Sequence, residues 1–386
     1  MNRRKFIKQA AGGTAALLFS TAGRTVSGRQ ERDVPIQKKI GQMVMVGFRG
    51  LVVDESHPIV KDIRNLHIGG VVLFDIDVKN KSNLRNIQSP AQVKILIASL
   101  QAVSDIPLLI AVDYEGGIVN RLKEKYGFPY TVSAQYLGEK NDIALTRKYA
   151  SEMAETLSRL GINHNLAPVV DLNINPDNPI IGKKERSFSS DPNVVTRHAL
   201  EFMKALHERG ILCTLKHFPG HGSSAEDSHL GMVDVTRSWS PSELEPYATL
   251  INAGLADAIM TAHVFHARLD PAFPATLSKP IITGILRKKL QYRGVVMTDD
   301  MRMKAISDEY GLETAVRRAV EAGVDILTFA NNSELEETMA HRVVTMIQRW
   351  IDDGTIEKGR IDESYDRIMR MKKNLMKPSQ LESDFT

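Results

Sequence analysis

Eight short apolar runs recur along the chain with longer stretches between them, and this rhythm limits the fold more than any other feature. The runs are residues 43–48, 69–74, 108–113, 166–172, 211–217, 258–263, 295–299 and 325–330. Each has the length of a buried strand and is too short for a helix. Between them, segments such as 142–160, 194–209, 242–253, 280–290 and 311–322 carry apolar residues at helical spacing. Strand and helix in alternation imply a parallel sheet covered by helices, and eight is the count that closes a (β/α)8 TIM-type barrel. A doubly wound open sheet is the alternative. Residues 34–375 are read as a single barrel domain with two extra C-terminal helices, 335–350 and 361–373, packed on its outside, and residues 376–386 as a tail.

Run after run ends in a group capable of chemistry: Asp113, Asp171, Lys216 with His217, His263, and Asp299 with Asp300. The carboxyl ends of barrel strands converge on one rim, where barrel enzymes hold their sites. The densest cluster is residues 216–231, which place Lys216, His217, His221, Asp227 and His229 among glycines and serines. In Asp227-Ser228-His229 the acid and the imidazole are two positions apart, so an extended or turned backbone points both the same way. The carboxylate then fixes the ring's tautomer and leaves the other nitrogen for a substrate. A metal site built from His217, His221, Asp227 and His229 is the competing reading, although that spacing matches no standard zinc pattern. Asp299 stands directly at a strand end and is the better nucleophile candidate, while Asp300 is placed to cap the following helix. A carboxylate nucleophile with a separate proton donor is the equipment of retaining glycoside hydrolysis, here with His229 in place of the usual second carboxylate. Asp113, Arg121, Arg186, Lys216 and His217 are the groups able to hold sugar hydroxyls.

The formal net charge of +4 misleads, because residues 1–30 hold six basic residues and no acid, and without them the balance is −2. The body of the protein is therefore not basic, and nothing argues for a nucleic-acid partner. Those thirty residues, with Arg3 and Arg4 ahead of a mildly apolar stretch, read as a twin-arginine-type signal peptide and linker. They predict a protein exported by the twin-arginine machinery to the periplasm, with an uncleaved leader that anchors the chain as the alternative. The apolar stretch is too short and glycine-rich to span a bilayer, so no transmembrane segment is expected in the mature chain. The single cysteine, Cys213, allows no intrachain disulfide.

Taken together these residues resemble glycoside hydrolase family 3, in its branch of NagZ-type β-N-acetylhexosaminidases. The resemblance rests first on Lys216-His217-Phe218-Pro219-Gly220-His221-Gly222 followed by Asp227-Ser228-His229. Further support comes from Asp113 with Glu115-Gly116-Gly117 and Arg121, from Arg186-Ser187-Phe188, and from Thr298-Asp299-Asp300-Met301. It implies a barrel, Asp299 as nucleophile, His229 as acid/base with Asp227 as its partner, and Asp113, Arg121, Arg186, Lys216 and His217 around a terminal N-acetylglucosamine. It also implies an enzyme without cofactor or catalytic metal, removing that sugar from peptidoglycan fragments or chitin-type oligosaccharides. A non-catalytic sugar-binding barrel and a phosphorylase of the same glycosides are the alternatives. The chain departs from the pattern at Ser223-Ser224, at Ser189, at Lys183-Lys184-Glu185 and in the long loop 75–89. These departures lie in rim loops and bear on the aglycone.

Overall fold

The computed structural model describes residues 34–79, 84–332 and 334–375, so the expected leader, the C-terminal tail and part of the loop 75–89 lie outside the described residues. From Pro35 onward the chain forms one unit. Eight strands, all paired in parallel, close a barrel in chain order: β1 (Val44–Gly47), β2 (Gly70–Leu73), β3 (Leu109–Val112), β4 (His164–Asn165), β5 (Leu212–Phe218), β6 (Ala258–Thr261), β7 (Val295–Asp300) and β8 (Ile326–Phe329). The ring shuts where Val44 pairs with Leu327 and Val46 with Phe329. Closure selects the barrel over the open sheet. Every residue of β1, β2, β3, β6 and β8 is buried. That is the burial expected of strands covered on both faces, and it is why they read as unbroken apolar runs.

The fourth run differs from expectation. The paired strand is His164–Asn165, just before the predicted 166–172, and the later stretch holds to β5 through separate bonds, Thr214 N–H to Ala167 O at 3.0 Å and Val170 N–H to Lys216 O at 2.9 Å, with one isolated parallel bridge between Val169 and Lys216. Pro168 lies in that stretch and has no N–H to offer a ladder, which breaks regular pairing. The helices follow their local signals. Helix α1 (Pro90–Ala102) starts with Ser89 accepting from Gln92 N–H, with proline at its first position. Helix α2 (Ile143–Leu160) is capped by Asp142 and stops at Gly161 in the left-handed region. Helix α3 (Pro192–His207) is opened by Asp191 and Pro192 in the same way. The last two helices, α4 (Met339–Asp352) and α5 (Lys358–Lys372), pack against the opening helix Ile36–Gln42 outside the barrel.

The floor of the barrel is closed from both ends of the chain. Lys372 of α5 is fully buried and reaches Gln42 Oε1 and Gly69 O, each at 2.7 Å. Among the described residues no helix is long and apolar enough to cross a membrane.

Candidate active site

The carboxyl end of β3 sets the first group. After Asp113 a tight hairpin, Tyr114–Gly116 against Val119–Asn120, turns on Gly116 and Gly117, both with positive φ. The return brings Arg121 N–H onto Asp113 O at 3.0 Å and Arg121 Nη2 within 3.1 Å of Asp113 Oδ2. The eight-residue spacing between acid and guanidinium is thus a hairpin's reach.

Strand β5 supplies the next two. Lys216 is 2% exposed and its Nζ donates to Asp113 Oδ1 at 2.8 Å and contacts Glu115 Oε1 at 2.7 Å. Arg186 grips Glu115 with two bonds, Nε to Oε2 at 2.8 Å and Nη2 to Oε1 at 2.7 Å, and donates through Nη1 to Ile180 O. His217 Nδ1 lies 2.7 Å from Asp171 Oδ2, and its Nε2 faces Arg186 Nη2 at 3.2 Å. Since Arg186 can only donate, Nε2 accepts there and the ring's proton sits on Nδ1 against Asp171. Burial pushes the Asp113 carboxyl up, but Lys216 and Arg121 outweigh it and hold the acid well below the usual carboxylate range. Glu115 is lowered by the same balance of burial against Arg186 and Lys216. These charges are stable in a dry place because each is paired and hydrogen-bonded.

The candidate nucleophile and the candidate proton donor come from β7 and the loop after β5. Asp299 is partly exposed at the strand's end, with Oδ1 accepting Asp300 N–H at 2.8 Å. Burial raises its carboxyl, yet the imidazoles of His263, His217 and His229 together bring it below its ordinary value. His229, seventy positions earlier, is therefore within electrostatic reach of Asp299. Its Nδ1 lies 2.7 Å from Asp227 Oδ1, which also accepts His229 N–H at 2.9 Å, and its side chain is 57% exposed. The loop that carries this pair is threaded closely over the barrel. A Cβ on Gly222 would lie 1.7 Å from Leu172 O, so only glycine passes there.

All eight predicted site residues come together on one rim. The metal reading does not survive the geometry, because the ring nitrogens of His217 face Asp171 and Arg186, and those of His221 face Ser224 and Ser228. Among the described residues the His, Cys and carboxylate atoms close enough to share an ion belong to His207, Cys213 and Asp257, at the opposite ends of the strands. Asp300 also differs from expectation. It accepts Ala330 N–H at 3.0 Å and Arg302 N–H at 3.1 Å, tying β7 to β8, and the helical segment Lys304–Ala322 has no side-chain cap.

Four further groups at the candidate site carried no assigned role in the sequence. Glu115 and Asp171 are the carboxylates that hold Arg186, Lys216 and His217. His263, buried between Thr276 Oγ1 at 2.8 Å and Asp300 O at 3.0 Å, is the imidazole that acts most strongly on Asp299. Glu243 supports the loop from below, accepting Gly222 N–H at 3.2 Å. The strand-end positions of Asp171 and His263 were a usable signal. Glu243 gave none beyond a helix-start pattern with Ser240.

A closed parallel barrel that carries a strand-end carboxylate and, within its electrostatic reach, a His–Asp pair on another loop of the same rim has the layout of a barrel hydrolase of the glycosidase class. The chain belongs to the glycosyl hydrolase family 3 N-terminal domain family, whose profile matches residues 35–371. It is 33% identical over 383 residues to Beta-hexosaminidase A of Pseudoalteromonas piscicida, covering 90% of this chain and 63% of that protein. The chain thus spans less than two thirds of that relative. A Beta-hexosaminidase of Tolumonas auensis is 35% identical over 273 residues, covering 70% of this chain and 78% of its own length. The solved glycoside hydrolase family 3 beta-N-acetylglucosaminidase from Paenibacillus sp. str. FPU-7 superposes with a TM-score of 0.80 at 34% identity, over 91% of this chain and 68% of that one.

Proposed function

We propose that the protein is a retaining exo-β-N-acetylhexosaminidase that releases terminal N-acetyl-β-D-glucosamine from peptidoglycan fragments or chitin-type oligosaccharides. One observation carries the reading: His229, oriented through Nδ1 by Asp227 at 2.7 Å, stands within charge reach of the lowered carboxylate of Asp299. The relatives named as hexosaminidases and N-acetylglucosaminidases support the sugar.

In the first step an Asp299 oxygen attacks the anomeric carbon. The bond to the leaving oxygen breaks, and protonated His229 gives its Nε2 proton to that oxygen. In the second step neutral His229 takes a proton from water as the water attacks the same carbon, freeing Asp299 as carboxylate and the sugar with its original configuration. Asp227 holds the ring's orientation and supports its positive charge. Asp113 and Arg121 face the site with an acceptor and a donor for sugar hydroxyls. Arg186 and Lys216, already bonded to Glu115 and Asp113, act on the sugar mainly by fixing those carboxylates.

Asp299→Ala should lower kcat on an aryl N-acetyl-β-glucosaminide by roughly 10⁴-fold or more. A folded variant with near-normal kcat removes this mechanism. Product analysis on chitobiose and muropeptides, with and without phosphate, identifies the aglycone and separates hydrolysis from phosphorolysis.

A further inference from the structure

The loop after β5 holds two layers. Asp227 and His229 reach toward the site, while His221, Ser224 and Ser228 beneath them are 2%, 1% and 2% exposed. Ser228 lies between Asp227 and His229 in a turn closed by Leu230 N–H on Asp227 O at 3.0 Å, and its side chain is buried where that of His229 is exposed. A buried imidazole must satisfy both ring nitrogens. His221 does so with Nδ1 2.7 Å from Ser224 Oγ and Nε2 3.2 Å from Ser228 Oγ. In either tautomer one nitrogen donates and the other accepts, and a hydroxyl serves both roles.

The ring is mounted on fixed parts. His221 N–H donates to Asp171 Oδ1 at 2.9 Å, and the other oxygen of that carboxylate holds His217. Ser224 Oγ receives Asn178 Nδ2 at 2.9 Å, and Asn178 Oδ1 accepts Ile180 N–H and Ile181 N–H, both at 2.9 Å. Asn175 Nδ2 adds a bond to Ser224 O at 2.9 Å. A continuous set of bonds therefore runs from the sugar-side histidine, His217, through Asp171 and His221, to the serine inside the Asp227–His229 pair.

We propose that His221 is a positioning residue, which through Ser228 sets the height and direction of the Asp227–His229 pair over Asp299. The inference rests on the function proposed above. A proton donor that is slightly misplaced still serves a leaving group that departs without help, but fails one that needs the proton. The test uses the full-length protein and a series of aryl N-acetyl-β-glucosaminides, from dinitrophenyl, which leaves unaided, to phenyl, which does not. Ser228→Ala and His221→Gln should keep kcat/KM on the dinitrophenyl glycoside within about threefold of wild type and lose about tenfold or more on the phenyl glycoside. Their leaving-group dependence should fall between those of wild type and His229→Ala. The double variant should be no worse than the weaker single one, since both changes cut the same contact. A uniform loss across the series, or a folded Ser228→Ala protein with wild-type leaving-group dependence, overturns the proposal. Wild-type protein that turns over no N-acetylglucosaminide overturns the functional reading, and the positioning role with it.

Discussion

Asp113, Glu115, Asp171 and Asp299 are all buried or partly buried acids, and all four are held below their ordinary values by neighbouring cations or imidazoles despite the burial that would raise them. At the scale of single residues the rim is therefore a set of charges kept ionised by arrangement, and this decides how activity answers to pH. In the proposed mechanism attack requires Asp299 as carboxylate. The profile of kcat/KM should thus fall at low pH as Asp299 is protonated, with that fall displaced below the place of an ordinary aspartate by the imidazoles of His263, His217 and His229. In His229→Ala, assayed on a dinitrophenyl glycoside, one of the imidazoles that hold the carboxyl down is gone, and the low-pH fall should move up. A low-pH fall in the same place in both proteins would put His229 out of electrostatic reach of Asp299.

At the scale of the element, the loop after β5 rests on one unusual carboxyl. Glu243 is 1% exposed, and burial, helped by the negative charge of Asp171, pushes it from 4.5 up to about 7. It touches the loop at two points, accepting Gly222 N–H and filling the space where a Cβ on Gly220 would lie, 2.6 Å from Glu243 Cβ. Because its folded value is raised, its favourable contribution is complete below the unfolded value, shrinks between about 4.5 and 7, and is absent above that. Each pH unit in that window costs about 1.4 kcal/mol. Glu243→Gln imitates the protonated acid and cannot ionise. Between pH 5 and pH 8 wild type should lose roughly 3 kcal/mol more stability than the variant, read from urea midpoints. Parallel changes in the two proteins would show that Glu243 titrates as an ordinary acid.

The whole molecule is held together at the end of the barrel opposite the site. Asp325, fully buried just before β8, accepts Arg287 Nη2 and Val296 N–H on one oxygen, and Arg367 Nη1, Arg360 Nη2 and Ser364 Oγ on the other. It joins β7 and β8 to the C-terminal helix α5, so the helices that follow the eighth strand are part of the closure. Asp325→Ala leaves three mostly buried guanidinium groups around a missing anion and should cost about 3–5 kcal/mol. Its urea midpoint should drop while KM of the folded enzyme stays unchanged. A raised KM with an unaltered midpoint would mean that this end communicates with the rim.

Much of this was legible in one dimension. Strand-length apolar runs, helical spacing in segments such as 142–160 and 194–209, and reactive groups at strand ends are local, so the barrel, its strand count and the Asp227–His229 pair follow from short-range chemistry. Pairing across distance is not local. Glu115 meets Arg186 71 positions away, and Lys216 meets Asp113 across 103. Residue order says nothing of which acid neutralises which cation in a closed ring. The register of β4, the role of Asp300 between β7 and β8, the partners of Arg186 and the reach of His263 to Asp299 were settled only when closure brought those strand ends together. In a dry, crowded rim each buried charge has to take the partner that geometry supplies.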